Sequence, residues 1–153
     1  MYDLVFKNGE IFDGSGQGSF CGDIAITGSV IAAIEPSGTI QTAAAKEVID
    51  VSGLIVSPGF IDMHTHSDFT LIADGRAESQ VHQGVTTEVI GQCGASCAPV
   101  NSKDDIRQVA PWYTDKANHK TWLGFGDYLD VLEMTELGVN VMAFVGHGTI
   151  HRA

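Results

Sequence analysis

Basic residues, cysteines and long apolar runs are all scarce in this sequence of 153 residues. Only 8 lysines and arginines stand against 19 aspartates and glutamates, which gives a formal net charge of −11. Such a balance argues against nucleic acid or an anionic membrane surface as a partner. No stretch approaches the roughly 20 apolar residues of a membrane span, and the N-terminus lacks the basic and apolar regions of a signal peptide. We therefore expect a cytoplasmic protein.

The cysteine content argues against a disulfide framework. The chain has 3 cysteines, an odd number in a sequence without a secretion signal, so each thiol is expected to be free. A hydrophobic content of 44% with 18% charged residues is normal for a globular core. The chain is thus expected to be an ordinary globular protein with thiols available for packing or for ligation.

The first part of the chain, residues 1–57, is predicted to be a small antiparallel sheet. Short apolar runs alternate with turn residues, and hairpin turns are predicted at Asn8-Gly9 and at Gly28-Ser29. So few strands enclose too little core to stand alone. We expect this sheet to pack on the rest of the protein.

From residue 58 onward, strands alternate with helical segments. Strands are predicted over residues 60–66, 85–91 and 140–146, with one helix over residues 74–83 and another around residue 125 that ends at Gly138. No helix is expected after the third strand. This alternation predicts βα units on a parallel sheet, hence an α/β fold with a domain over residues 58–153.

Two histidines at the end of the first predicted parallel strand are the leading candidates for chemistry. In a strand His64 and His66 would share one face, roughly 7 Å apart along the backbone. Their rings could bind one metal ion, although a solvated strand end is the alternative. Asp62 and Asp68, on either side of the pair, could orient the histidines or could form turns.

Cys93 and His147 follow the second and third predicted strands, at the sheet edge where ligands gather in barrels and open α/β sheets. We interpret Cys93, flanked by glycines, as a ligand. His147 also lies between glycines, and either contacts a ligand or is a hydrogen-bonded strand end. The remaining cysteines and histidines that we weighed are interpreted as packing (Cys21, Cys97) or as solvated groups or partners of ligands (His82, His119).

Two motifs resemble a known family. Residues 56–66, Val-Ser-Pro-Gly-Phe-Ile-Asp-Met-His-Thr-His, resemble the strand-one signature of the amidohydrolase superfamily, whose members carry metal on a (β/α)8 barrel. Gln-Gly-Val-Thr-Thr from residue 83, Gly-Gln-Cys-Gly from residue 91 and Gly-His-Gly-Thr from residue 146 are similar to the D-aminoacylase branch, the N-acyl-D-amino-acid deacylases. Residues 8–14 and 23–34 resemble the N-terminal part of the small β-sandwich domain of that superfamily.

The resemblance implies a fold and a set of roles. The fold would be the first three strands of a partial (β/α)8 barrel, preceded by part of a small β-sandwich domain. His64 and His66 would be strand-one ligands and Cys93 a thiolate ligand of Zn²⁺, present as one or two ions, while His147 would line the pocket of a small N-acyl amino acid substrate. The general-base aspartate would lie beyond residue 153, so that no catalytic residue is assigned within the chain.

Two alternatives remain open from the sequence. A cyclic amide hydrolase of the dihydroorotase or hydantoinase kind shares the histidine pair but not the cysteine, and a non-catalytic relative could use the barrel for assembly. His151-Arg152 departs from the arginine that the family places directly after the last motif, which leaves the role of this loop in substrate contact open. Because a complete barrel takes about 250 residues, we expect the chain to be the N-terminal part of a longer protein and to be inactive by itself.

Overall fold

Two compact units make up the described part of the chain. The computed structural model describes residues 1–109 and 120–153, and the chain divides into Met1–Pro58 and Gly59–Ala153. His119 lies outside the described residues. Within them, no helix is long and apolar enough to cross a bilayer.

The first unit is a five-stranded mixed sheet. In chain order its strands are β1 (Tyr2–Ile11), β2 (Phe20–Thr27), β3 (Val30–Pro36), β4 (Ala45–Asp50) and β5 (Ile55–Val56). The spatial order is β3-β2-β1-β4, with β5 also paired to β1. β2 runs antiparallel to β1 and β3, whereas β4 and β5 run parallel to β1. The prediction of a wholly antiparallel sheet is wrong, because the segment after β3 crosses to the far side of β1 instead of forming another hairpin.

Asn8 lies inside a continuous strand. It has φ 63°, in the left-handed region that Asn tolerates, and the pairing of β1 with β2 shifts register between Phe6 and Gly9. This is a β-bulge, so the predicted hairpin turn at Asn8-Gly9 is wrong. The predicted turn at Gly28-Ser29 is confirmed, since these two residues alone join β2 to β3.

The first unit has a small core of Val5, Ala25 and Ile40, and a buried carboxylate joins two of its segments. Asp23 is fully buried and accepts hydrogen bonds from the backbone N–H of Asn8 and of Gly38, both at 2.9 Å. Its Oδ2 lies 3.8 Å from Lys7 Nζ. One side chain therefore holds the β1 bulge against the loop that follows β3.

The second unit contains a parallel sheet. Its elements in chain order are β6 (Phe60–Asp62), α1 (Glu78–Val81), β7 (Val85–Ile90), α2 (Ile106–Val109), α3 (Phe125–Glu133), β8 (Asn140–Ala143) and α4 (His147–Arg152). The strands lie in the order β6-β7-β8 and are all parallel. Their carboxyl ends therefore meet at one edge of the sheet, as the sequence predicts.

Several predicted boundaries are wrong. The helix predicted over residues 74–83 is reduced to α1. Ala77, the residue before α1, has φ 48°, so the right-handed helix cannot begin earlier than Glu78. α3 ends at Glu133, well before Gly138, and α4 follows β8 where no helix was expected. At its other end α1 stops at Val81 with His82 as the C-cap, two residues before the predicted end at residue 83.

α2 and α3 pack into one apolar cluster, to which β7 also contributes. Its central residues Trp122 and Tyr128 are almost fully buried, with ring centroids 5.4 Å apart. Three hydrogen bonds continue from this cluster: Trp122 Nε1 donates to the Cys97 carbonyl at 2.8 Å, and both Cys97 Sγ and the Tyr128 hydroxyl donate to the Asp68 carbonyl, at 3.1 and 3.0 Å. The core thus anchors the segment that follows His66.

We expect Asp23→Ala to destabilise the protein by about 1–3 kcal/mol, because two partly buried backbone N–H groups lose their acceptor and each such hydrogen bond contributes about 0.5–1.5 kcal/mol. Glu47→Ala, which removes an exposed carboxylate on β4, is the matched control and should change stability by less than about 0.5 kcal/mol. Urea unfolding followed by circular dichroism measures both. Equal midpoints for the two variants would contradict the role of Asp23.

Candidate metal centre

His64 and His66 lie just beyond β6. The strand ends at Asp62 and not at His66 as predicted, because Asp62 Oδ1 accepts the backbone N–H of His64 at 3.1 Å and this local turn replaces the ladder. The segment stays beside β7 through a hydrogen bond from Thr65 N to Val89 O at 3.3 Å. The two imidazoles are exposed, with ring centroids 5.7 Å apart. Asp62 is therefore a turn former.

Cys93 is positioned by a strained loop after β7. It has φ 55°, and Gly91 and Gly94 on either side have φ 79° and 74°. A left-handed conformation costs a non-glycine residue of the order of 1–2 kcal/mol, so neighbouring contacts must hold it. In this conformation Cys93 Sγ lies 3.1 Å from His64 Nε2.

Gln92 ties the two loops to each other. Its side-chain amide donates to the carbonyl of Met63 at 3.0 Å and to that of Val89 at 3.3 Å. Met63 directly precedes His64, so this bond joins the cysteine loop to the histidine segment. The two ligand-bearing loops are thereby fixed as a pair.

Three donor atoms converge at this edge of the sheet. The ligand atoms of His64, His66 and Cys93 all lie within 4.8 Å of one another, and the three side chains are exposed. Donors bound to one zinc at about 2.1 and 2.3 Å are roughly 3.1–3.6 Å apart for angles of about 90–110°. The separation of 3.1 Å between His64 and Cys93 already lies in that range, and rotation of the exposed imidazoles can shorten the others. The donors therefore fit a metal ion.

Gly91 permits the close approach of the second and third strands. A Cβ at residue 91 would overlap the carbonyl of Phe144, and Phe144 N donates to Ile90 O at 3.0 Å. The positive φ of Gly91 excludes other residues as well. Any side chain here would push the cysteine loop away from β8.

His147 lies at the same edge but outside the converging group. It is the first residue of α4 and is exposed, and among the described residues only His64, His66 and Cys93 form a group of metal-binding type. Its segment contacts the cysteine loop through Gly94 O, which accepts from Gly148 N at 2.8 Å. Substrate contact by His147 stays a prediction.

The exposure of the other two cysteines and of His82 tests how each was interpreted from the sequence. Cys97 is fully buried, which raises the pKa of its thiol and confirms its interpretation as packing. Cys21 is exposed on β2, so the same interpretation is wrong for that residue; its side chain points out of the small core. His82 is exposed after α1, as expected.

Two buried carboxylates lie near the histidine segment. Asp68 follows His66 by two residues, and Glu88 is hydrogen-bonded to Ser67, the residue after His66. Asp68 is 1% exposed, and burial raises its pKa to about 6, against the opposing effect of the nearby backbone N–H groups of residues 68 and 69. Glu88 is fully buried in β7 and accepts a hydrogen bond from the Ser67 hydroxyl. Both Asp68 oxygens and one Glu88 oxygen have no hydrogen-bond partner among the described residues. The only sequence sign of Glu88 is a charge inside a β-branched run.

Comparisons with known proteins give a consistent result. The sequence model of the amidohydrolase family matches residues 47–152. A D-aminoacylase of Alcaligenes xylosoxydans xylosoxydans is 39% identical over 152 residues, which are 99% of this chain and 30% of that protein. The chain thus spans under a third of the length of this curated relative.

Solved structures resemble the whole chain. A D-aminoacylase studied for its binuclear metal centre superposes with a TM-score of 0.84 at 32% identity, over 100% of this chain and 31% of that protein. An N-acyl-D-glutamate deacylase from Bordetella bronchiseptica, complexed with zinc and a phosphonate inhibitor, gives a TM-score of 0.79 at 31% identity, over 99% and 31%. The mixed α/β fold is shared with these proteins.

We expect Gly91→Ala to lower the thermal midpoint by several degrees, because the new Cβ collides with the backbone of Phe144 and residue 91 keeps a positive φ. Gly126→Ala is the control, since Gly126 lies in α3 with nothing within 4 Å of a Cβ; it should leave the midpoint unchanged or raise it slightly. Differential scanning calorimetry compares the two. A Gly91→Ala protein as stable as the wild type would disprove the close approach.

Proposed function

Because this chain belongs to the amidohydrolase family, we propose that the protein carrying it is a zinc-dependent hydrolase that deacylates N-acyl-D-amino acids. The observation that carries the proposal is the convergence of His64, His66 and Cys93 within 4.8 Å. The relatives named above, a D-aminoacylase and an N-acyl-D-glutamate deacylase, support the substrate class. The bond broken would be a carbon–nitrogen bond other than a peptide bond.

Two nitrogen donors and one sulfur donor favour zinc. Zn²⁺ accepts mixed imidazole and thiolate ligands, whereas Mg²⁺ and Ca²⁺ prefer oxygen donors. When bound, zinc supplies Lewis-acid chemistry that polarises an amide carbonyl and makes water nucleophilic near neutral pH. The number of ions is one or two.

Each candidate site residue has a defined role in this proposal. His64 and His66 offer exposed ring nitrogens, and Cys93 offers its sulfur from the facing loop. His147, exposed at the start of α4, would contact the acyl amino acid. The group that transfers the proton to the leaving amine is proposed to be an aspartate outside residues 1–153.

The second unit leaves several apolar side chains exposed to solvent, and a barrel architecture would account for them. Phe60, Ile61, Met142 and Phe144, on or beside the parallel strands, are more than half exposed. Buried parallel sheets are covered on both faces. We propose that the second unit forms the first three strands of a (β/α)8 barrel, whose remaining strands would cover these residues, and that the first unit belongs to a small β-sandwich domain.

Replacement of Cys93 by alanine should abolish tight zinc binding. Loss of a group that merely orients a ligand weakens metal affinity by about 10–100-fold, and loss of a ligand should cost more. Cys21→Ala is the matched control, because it removes another exposed thiol and should leave affinity unchanged. Competition with a chromogenic chelator measures the zinc dissociation constants. Equal dissociation constants for the Cys93→Ala protein and the wild type would rule out the thiolate ligand.

Turnover by the complete protein tests the reaction itself. We expect release of free amino acid from N-acetyl-D-amino acids, no release from the L enantiomers, and loss of turnover after chelation that zinc restores. Hydantoin and dihydrouracil serve as the comparison substrates. Faster ring opening of these cyclic amides would favour the cyclic amide hydrolase instead.

A further inference from the structure

A buried set of hydrogen bonds joins the loop of Cys93 to the start of α4. Ser96 and Thr149 are each 2% exposed. Ser96 N donates to Thr149 Oγ1 at 2.9 Å, and this hydroxyl donates to Ser96 O at 3.2 Å. Ser96 Oγ accepts from Gly146 N at 2.9 Å and donates to Ala98 O at 2.6 Å. The Thr149 hydroxyl therefore donates and accepts between the two loops, whereas the Ser96 hydroxyl accepts from the other loop and donates within its own.

The carbonyl of Gly94 completes this connection. It accepts from Gly148 N at 2.8 Å and from Thr149 N at 3.2 Å, two first-turn amides of α4 that have no partner within the helix. A Cβ at Gly146 would lie 2.6 Å from the Gly94 backbone. The two loops are thus in direct backbone contact, next to Cys93 on one side and His147 on the other. We call these bonds of Gly94, Ser96, Gly146, Gly148 and Thr149 the loop clasp.

The conformation of Cys93 needs such support. Its φ is 55°, and a cysteine keeps such a backbone conformation only where the surrounding structure imposes it. The clasp fixes Gly94, the next residue, and a hydrogen bond from Ala95 N to Gln92 O at 2.9 Å closes the turn around the cysteine. Release of the clasp would let Cys93 relax and turn its sulfur away from His64.

We propose that Ser96 and Thr149 are positioning residues, which hold Cys93 Sγ towards the metal and fix His147 in the same step. The proposal rests on the proposed function in that it takes Cys93 to be a metal ligand. Because one set of bonds fixes both loops, zinc binding at Cys93 and the placement of His147 are coupled. Coupling of this kind is reciprocal, so an occupied substrate position beside His147 should tighten zinc binding.

Thr149→Val tests the clasp, because valine keeps the shape of threonine and removes both hydroxyl hydrogen bonds to Ser96, together with the longer one of 3.5 Å from Arg152. We expect its zinc dissociation constant to rise by about 10–100-fold, and the thiolate-to-cobalt charge-transfer band of the cobalt-substituted protein to weaken. Thr149→Ser restores the hydroxyl and should return both values to within about threefold of wild type. If Thr149→Val does not fold, Ser96→Ala carries the same test with the same expected change.

A matched variant separates positioning from stability. Thr135, two residues after the end of α3, donates its hydroxyl to Val131 O at 2.8 Å and accepts from Lys120 Nζ at 2.8 Å, away from the clasp. Thr135→Val should lower the thermal midpoint but leave the zinc dissociation constant and the cobalt band unchanged. A Thr149→Val protein that loses stability in the same way and keeps wild-type zinc affinity would overturn the proposal.

A double-variant cycle shows whether the effect passes through the cysteine. In a Cys93→Ala background, Thr149→Val should cause no further loss of the residual zinc affinity, whereas an equal further loss would overturn the proposal. If Cys93→Ala binds zinc as tightly as wild type, the metal site itself is wrong and the clasp has no role. If Cys93→Ala loses zinc while Thr149→Val keeps it, only the positioning role fails.

Discussion

The structure of the site depends on the close approach of backbone segments at the carboxyl ends of β7 and β8. Gly91 packs under the carbonyl of Phe144, and Gly146 against the backbone of Gly94, at distances where no Cβ fits. This contact places the cysteine loop, in which Cys93 has a left-handed conformation, beside the first turn of α4. In this arrangement Cys93 Sγ lies 3.1 Å from His64 Nε2.

The histidine segment has a support of its own. The Asp68 carbonyl, two residues after His66, accepts both the Tyr128 hydroxyl and the Cys97 thiol, and these two side chains belong to the buried apolar cluster. The apolar core thereby determines where the segment leaves β6. Ligand-bearing loops that are held by buried groups keep a metal geometry that solvated loops would lose.

The sequence was sufficient to predict that the three side chains of the candidate site lie together, but not the bonds that hold them. His64, His66 and Cys93 follow from the positions of strand ends, because parallel strands end at one edge. The end of β6 at Asp62 could not be predicted, since a side-chain hydrogen bond there outweighs the β-propensity of the run. Asn8-Gly9 is typical of a hairpin turn, but the positive φ that such a turn needs occurs in a β-bulge as well. Ser96 and Thr149 are distant in sequence, and nothing local to either residue indicates that they are partners.

The central claim is that His64, His66 and Cys93 bind one zinc ion together. X-ray absorption at the zinc edge of the complete protein tests it most directly, because sulfur at about 2.3 Å and nitrogen or oxygen at about 2.0–2.2 Å give separate shells. We expect one sulfur in the wild type and none in Cys93→Ala. A wild-type zinc shell made only of nitrogen and oxygen would contradict the account.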